Sequence, residues 1–312
     1  MCCRLPQAKQ DAEAKRKAEA EAQAKADAEA KRKAEAEAQA KAGDGGGLSG
    51  LMSGLMGLMS GGVAGGGLIH GPGGSTEQLQ QQTRIADVLD EPLEVALGPI
   101  TGVMKCERLP LMDAAVASGV EDVDSHAFMA SEAGASLAAS DPHGLDADEA
   151  GALRLYTMES DLYPTLNRLL RSRDRASLKP FFPYLRLLLT ARAKLPKHTA
   201  SVWRGVKGVD LRAQYPKDKE FYWWAFSSTT KALSTLQNDM FLGTTGTRTV
   251  FMVEVLNGVD IDRYSAYQGS ASEAEVLLYP GTKLKVVDTM DMGAGLFQVH
   301  LKEVAVPIEL IK

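Results

Sequence analysis

Cysteine is scarce: there are three in 312 residues, Cys2, Cys3 and Cys106, two of them adjacent. That number cannot build a disulfide framework and points to a reducing compartment. Charge of one sign is also lacking. The net charge is −5 with both signs interspersed, so the basic excess of a nucleic-acid binder is missing and no nucleic-acid partner is expected. The five histidines, His70, His126, His143, His198 and His300, have no metal-ligand spacing with the cysteines, so no metal is expected. His300 falls in a strand-like run and reads as structural. No Gly-x-Gly-x-x-Gly turn opens a helix, which excludes that way of cradling a dinucleotide. Residues 1–6 lack a charged stretch followed by an apolar one, and residues 307–312 lack an apolar tail. Neither a secretory signal nor a C-terminal lipid-anchor signal is expected, and the expected location is the cytoplasm.

What is present begins with a repeat. The sequence DAEAKRKAEAEAQAKA occupies residues 11–26 and recurs unchanged at 27–42. Its Ala, Glu, Lys, Gln and Arg are strong helix formers. Glu13/Lys17, Glu21/Lys25, Glu29/Lys33 and Glu37/Lys41 add acid-before-base support at four-residue spacing. No Leu, Ile or Val supplies a coiled-coil seam. The expectation is a solvated helix of ~32 residues and ~48 Å, acting as a spacer. Residues 43–74 follow, about half glycine with Leu, Met and Ser between. Glycine disfavours a stable helix there, so a flexible linker is expected. Residues 48–69 are long enough to span a bilayer, but few are bulky. Membrane contact, with acylation at Cys2 or Cys3, is the disfavoured alternative.

From about residue 78 the pattern is that of a globular domain. Apolar residues recur at helical spacing over 155–170 and 181–195, the second stretch bracketed by Pro183 and Pro196. Residues 129–139 are rich in small residues and predict a helix. Asp146, Asp148 and Glu149 look like a helix start. After Pro196 the pattern changes to short β-branched or aromatic runs at 201–206, 221–227, 249–256, 275–279, 284–288 and 296–304. Long helical crossovers are missing between them, apart from a short helix near 231–236. This predicts an α+β domain with helices first and a mainly antiparallel sheet region second. The expected divisions are 1–42, 43–77 and 78–312, the last with a helical part to about 200 and a sheet part from 201.

Three strand-associated signatures follow in order: Val202-Trp203-Arg204-Gly205-Val206, then Trp224-Ala225-Phe226-Ser227-Ser228-Thr229-Thr230, then Ser272-Glu273-Ala274-Glu275-Val276-Leu277-Leu278. Singly each is ordinary, since a strand Arg is usually solvated and Glu-x-Glu usually marks a strand's solvent face. Together they resemble the arginine-specific mono-ADP-ribosyltransferase family, whose pattern is Arg, then Ser-Thr-Ser, then Glu-x-Glu. Leu155-Tyr156-Thr157-Met158-Glu159-Ser160, Leu166-Asn167 and Phe241-Leu242-Gly243-Thr244 are similar to its eukaryotic branch. So are Pro280-Gly281-Thr282 and Gly293-Ala294-Gly295-Leu296. The likeness runs from near Ile85 to near Glu303.

The resemblance implies two mainly antiparallel sheets around an NAD cleft, preceded by a helical segment. It implies NAD as co-substrate and an arginine-bearing protein as acceptor. Glu275 then matches the carboxylate that stabilises positive charge on the nicotinamide ribose and holds its 2′-hydroxyl. Glu273 matches the acidic group that engages the acceptor guanidinium, and strand alternation would point both side chains the same way. Arg204 matches the arginine on the NAD phosphates. Gly205 matches the backbone position that meets the nicotinamide amide, and Ser228 the serine that positions the catalytic glutamate. Thr230 stands where the family has a second serine and keeps the hydroxyl. The loop 264–272 should present the target, with Tyr267 in contact. Trp203, Trp223 and Trp224 read as core. Two other functions stay open: NAD hydrolysis with water as acceptor, and a non-catalytic NAD-binding module.

Overall fold

Pro164 decides how the helical part is divided. In the computed structural model, which describes residues 91–93, 97–238, 241–306 and 310–311, the periodic stretch 155–170 is two helices. They are α3, Ala147–Thr157, and α4, Leu162–Arg171. Proline has no N–H to give and clashes with the preceding turn, so it must stand in the first turn of a helix. The chain therefore stops at Met158, which is extended, and restarts at Leu162. The repeat at 11–42 and the glycine-rich stretch lie outside the described residues.

The other helices are α1, Leu111–Ala117, α2, Val123–Ala138, and α5, Phe182–Lys194. The start read at Asp146 holds: its carboxylate accepts from the Glu149 N–H at 3.0 Å, and Glu149 returns the bond to the Asp146 N–H at 2.9 Å. Such a reciprocal cap contributes about 1 kcal/mol. Pro183 sits in the first turn of α5, and Leu195 leaves the helix extended ahead of Pro196. Sequence periodicity missed α1.

Nine strands follow: β1, Lys197–His198, β2, Ser201–Lys207, β3, Glu220–Trp223, β4, Ser227–Thr230, β5, Arg248–Glu254, β6, Gly258–Asp260, β7, Glu275–Leu278, β8, Thr282–Gly293, and β9, Leu296–Glu303. β1 and β6 had no sequence signal. Their order is β1-β6-β7-β4-β2-β5-β9-β8-β3, and every pairing is antiparallel except β5 with β9. The two expected sheets are joined into one nine-stranded sheet where β2 meets β4 through the single pair Trp203↔Thr230. That narrow junction lies at the site described below.

The predicted strand 221–227 is split into β3 and β4. The reason is polar. The Trp224 N–H donates to the Glu91 carboxylate, and the Phe226 N–H donates to Asn167 Oδ1 at 3.2 Å. Side chains from outside the sheet thus take the bonds a continuous ladder would have used, as buried backbone N–H groups require. Two large cores flank the sheet. One packs the helices against Phe226, Val259, Ile261, Leu277 and Tyr279. The other joins Val202, Val206, Tyr215, Trp223, Phe251 and Leu284.

Candidate active site

β2 carries Trp203, Arg204 and Gly205 through the centre of the sheet, paired along its full length with β5. Arg204 is 8% exposed, and its guanidinium lies 5.9 Å from the centre of the Trp223 ring. A buried cation needs such partners, and an aromatic face is one of them. Gly205 lines the cleft and also meets a packing constraint that the sequence did not show. A Cβ there would sit 2.8 Å from Leu242 Cβ and 3.3 Å from the Leu242 N. The space belongs to the neighbouring chain at Leu242, so the glycine serves close backbone packing as well as lining the cleft.

β4 presents Ser227, Ser228, Thr229 and Thr230. The Thr229 hydroxyl donates to the Val276 carbonyl at 2.5 Å and the Thr230 hydroxyl to the Glu273 carbonyl at 2.7 Å. Both threonines therefore act on the backbone at the two ends of the Glu-x-Glu segment, and Ser228 precedes them on the strand. β4 pairs with β7 so that Thr230 faces Glu275 and Ser228 faces Leu277.

The Glu-x-Glu segment departs from simple strand alternation. β7 begins at Glu275, Glu273 lies ahead of it, and Ala274 between them has φ 49°. A left-handed residue breaks the two-residue period. Its geometry is held by the Lys231 N–H donating to the Ala274 carbonyl at 3.0 Å and by the Ala274 N–H donating to Ser272 Oγ at 3.1 Å. Glu275 is 4% exposed, while Glu273 is half-buried.

A shallow cleft opens here, lined by Trp203, Arg204, Gly205, Ser228 and Glu273, together with Thr235 and Phe241. It thus gathers four of the residues read from the sequence: Arg204, Gly205, Ser228 and Glu273. Glu275 adjoins it across from Thr230, and Tyr267 stands in the loop ahead of Glu273; neither lines it. Trp223 and Trp224 are core, but Trp203 is a wall of the cleft. His300 Nε2 is 2.7 Å from Glu254 Oε1 on β5, a structural pair. Among the described residues, no group of three or more His, Cys, Asp or Glu is placed to hold a metal ion.

Sequence reading missed Glu91. Its carboxylate also accepts from Arg171 Nε at 2.7 Å, with both side chains buried. Burial pushes the Glu91 carboxyl above its ordinary value, while Arg171, the Trp224 N–H and Arg204 pull the other way. No local pattern flags this residue, because its partners are far along the chain.

The site's donor set suits NAD: a permanent guanidinium for phosphate, hydroxyls, and carboxylates where positive charge develops. No curated protein matches the chain. Among solved structures it is similar to the ADP-ribosyltransferase Vis from Vibrio splendidus in complex with agmatine, at 18% identity and TM-score 0.44 over 67% of this chain and 92% of that one. It is similar to HopU1 of Pseudomonas syringae pv. tomato, at 17% identity and TM-score 0.45 over 72% and 97%. The eukaryotic mono-ADP-ribosyltransferase ART2.2 is alike at 17% identity and TM-score 0.45 over 70% and 96%. The family model described as NAD:arginine ADP-ribosyltransferase matches residues 126–306, more than half of the chain. With that match spanning the cleft and the strands that build it, the chain belongs to the NAD:arginine ADP-ribosyltransferase family.

Proposed function

We propose that this ADP-ribosyltransferase acts on arginine side chains of proteins, transferring one ADP-ribose unit from NAD and releasing nicotinamide. The observation that carries the reading is Glu273 in the wall of the cleft that also holds Arg204 and Ser228. An acceptor carboxylate there suits a guanidinium, whose planar fork can pair with both its oxygens. In the transfer the bond between nicotinamide and ribose breaks, and nicotinamide leaves with the bonding pair. A bond then forms from a guanidine nitrogen to the same ribose carbon. Glu275 stabilises the positive charge on the ribose. Glu273 orients the guanidine and takes the proton it loses. Arg204 holds phosphate and Ser228 positions Glu275. We assign the activity to residues 78–312.

The test is incubation of purified protein with NAD and agmatine, following free nicotinamide and ADP-ribosyl-agmatine by mass. Glu275→Gln should lose both products. Glu273→Gln should lose the adduct and keep nicotinamide release. A chain starting at Gln78 should match the full chain. Nicotinamide without adduct from the unaltered protein points instead to NAD hydrolysis, and no turnover to a binding module.

A further inference from the structure

The loop ahead of Glu273 is held residue by residue from the last turn of α3 and the segment just after it. Arg154 Nη1 donates to the Ser265 carbonyl. The Ala266 N–H donates to Thr157 Oγ1 at 2.7 Å. The Tyr267 hydroxyl donates to Glu159 Oε1 at 3.1 Å. Three successive loop residues are thus bound by two side chains of α3, Arg154 and Thr157, and by Glu159 just past its end. Arg154 and Thr157, three apart, lie on one face of α3.

Thr157 is the hinge of this arrangement. Its hydroxyl gives its one proton to the Arg154 carbonyl at 2.8 Å, leaving a lone pair aimed at the Ala266 N–H. The loop also braces itself, through Gln268 Nε2 donating to the Ser265 carbonyl at 2.9 Å. Burial, together with the nearby charges of Glu159 and Glu273, pushes the Tyr267 phenol well above its ordinary pKa, so it stays a neutral donor. The same electrostatic neighbourhood therefore contains the phenol, Glu159 and Glu273.

We propose that Thr157, with Arg154 and Glu159, is a positioning residue for the acceptor: the end of α3 sets where Tyr267 and Glu273 meet the guanidinium. This rests on reading 264–272 as the acceptor-presenting loop of an arginine transferase. α3 belongs to the helical part, so acceptor affinity is decided by an element outside the sheet that carries the NAD cleft.

Thr157→Val keeps the shape and removes the hydroxyl; Thr157→Ser restores it. The Ala266 N–H is part-buried, and leaving such a donor unmet costs about tenfold in an equilibrium. The valine variant should raise the KM for agmatine about tenfold, shift the KM for NAD less than twofold, and speed amide exchange at Ala266. Serine should return all three towards the parent values. Glu159→Ala should raise the agmatine KM several-fold on its own. Equal shifts in both KM values, or no rescue by serine, would mean general damage and overturn the inference. Unchanged agmatine KM in both variants would overturn it while leaving the arginine reading intact. No adduct even from the unaltered protein would remove the arginine reading and this inference together.

Discussion

Replacing Glu91 with alanine should destabilise the domain far more than its place ahead of the first helix suggests. The Glu91–Arg171 pair has side-chain exposures of 3% and 8%. Removing one member of such a pair leaves a buried charge uncompensated and costs about 3–5 kcal/mol. The Trp224 N–H loses its acceptor as well. For a domain of this size each kcal/mol lowers the melting temperature by about 2–4 °C. Glu91→Ala should therefore lower it by roughly 6–20 °C in a thermal melt followed by circular dichroism. A second variant separates charge from shape. Glu91→Leu with Arg171→Met replaces both ions by apolar groups and should melt well above the single alanine variant. Its recovery should be incomplete, because the Trp224 N–H stays unmet. A single variant melting within about 2 °C of the parent protein would refute the reasoning. So would a double variant no more stable than the single one.

Gly205→Ala should cost about 1–3 kcal/mol by overpacking against Leu242 and should weaken NAD binding, both readable by calorimetry. An alanine variant with parental stability would mean that the Leu242 turn yields easily. Asp141 gives a pH signature. Burial raises its pKa, but the Tyr264 hydroxyl and the Leu145 and His143 N–H groups outweigh that and hold it below its ordinary 3.8. A depressed carboxylate contributes stability that is complete above its unfolded pKa and is lost as pH falls through the folded value. The melting-temperature gap between the parent protein and Asp141→Asn should hold steady from neutral pH to about pH 5 and shrink below pH 3.8. A gap that survives at the acid end would count against the role given to the charge.

The division between helical and sheet parts is legible because both rest on local periodicity. Six strand runs and the Asp146 start need only neighbours within a few residues. Motif order is not local, and it was the family resemblance it carries that suggested which residues share a site. Arg204, Ser228 and Glu273 do meet in one cleft. Local reading failed where a distant group took over a backbone bond. The run 221–227 has the composition of one strand, yet Glu91 and Asn167 cap its middle. The Glu-x-Glu alternation assumed a strand that starts two residues earlier than β7 does, and Ala274 at φ 49° redirects it. Gly205 lines the cleft, and its packing against Leu242 was invisible in the sequence.

The amino-acid order alone therefore determined the α+β class, the repeat and glycine-rich composition ahead of the domain, and the chemical types available for catalysis. Each depends on residue identity and short-range spacing. Tertiary structure decided which backbone N–H groups the ladder keeps, how the loop 264–272 is held from the end of α3 and from Glu159, and which carboxylate is buried beside Arg171. Those outcomes join residues roughly 60 to 130 positions apart. They follow from the demand that buried polar groups find partners, a demand met only once the chain has folded.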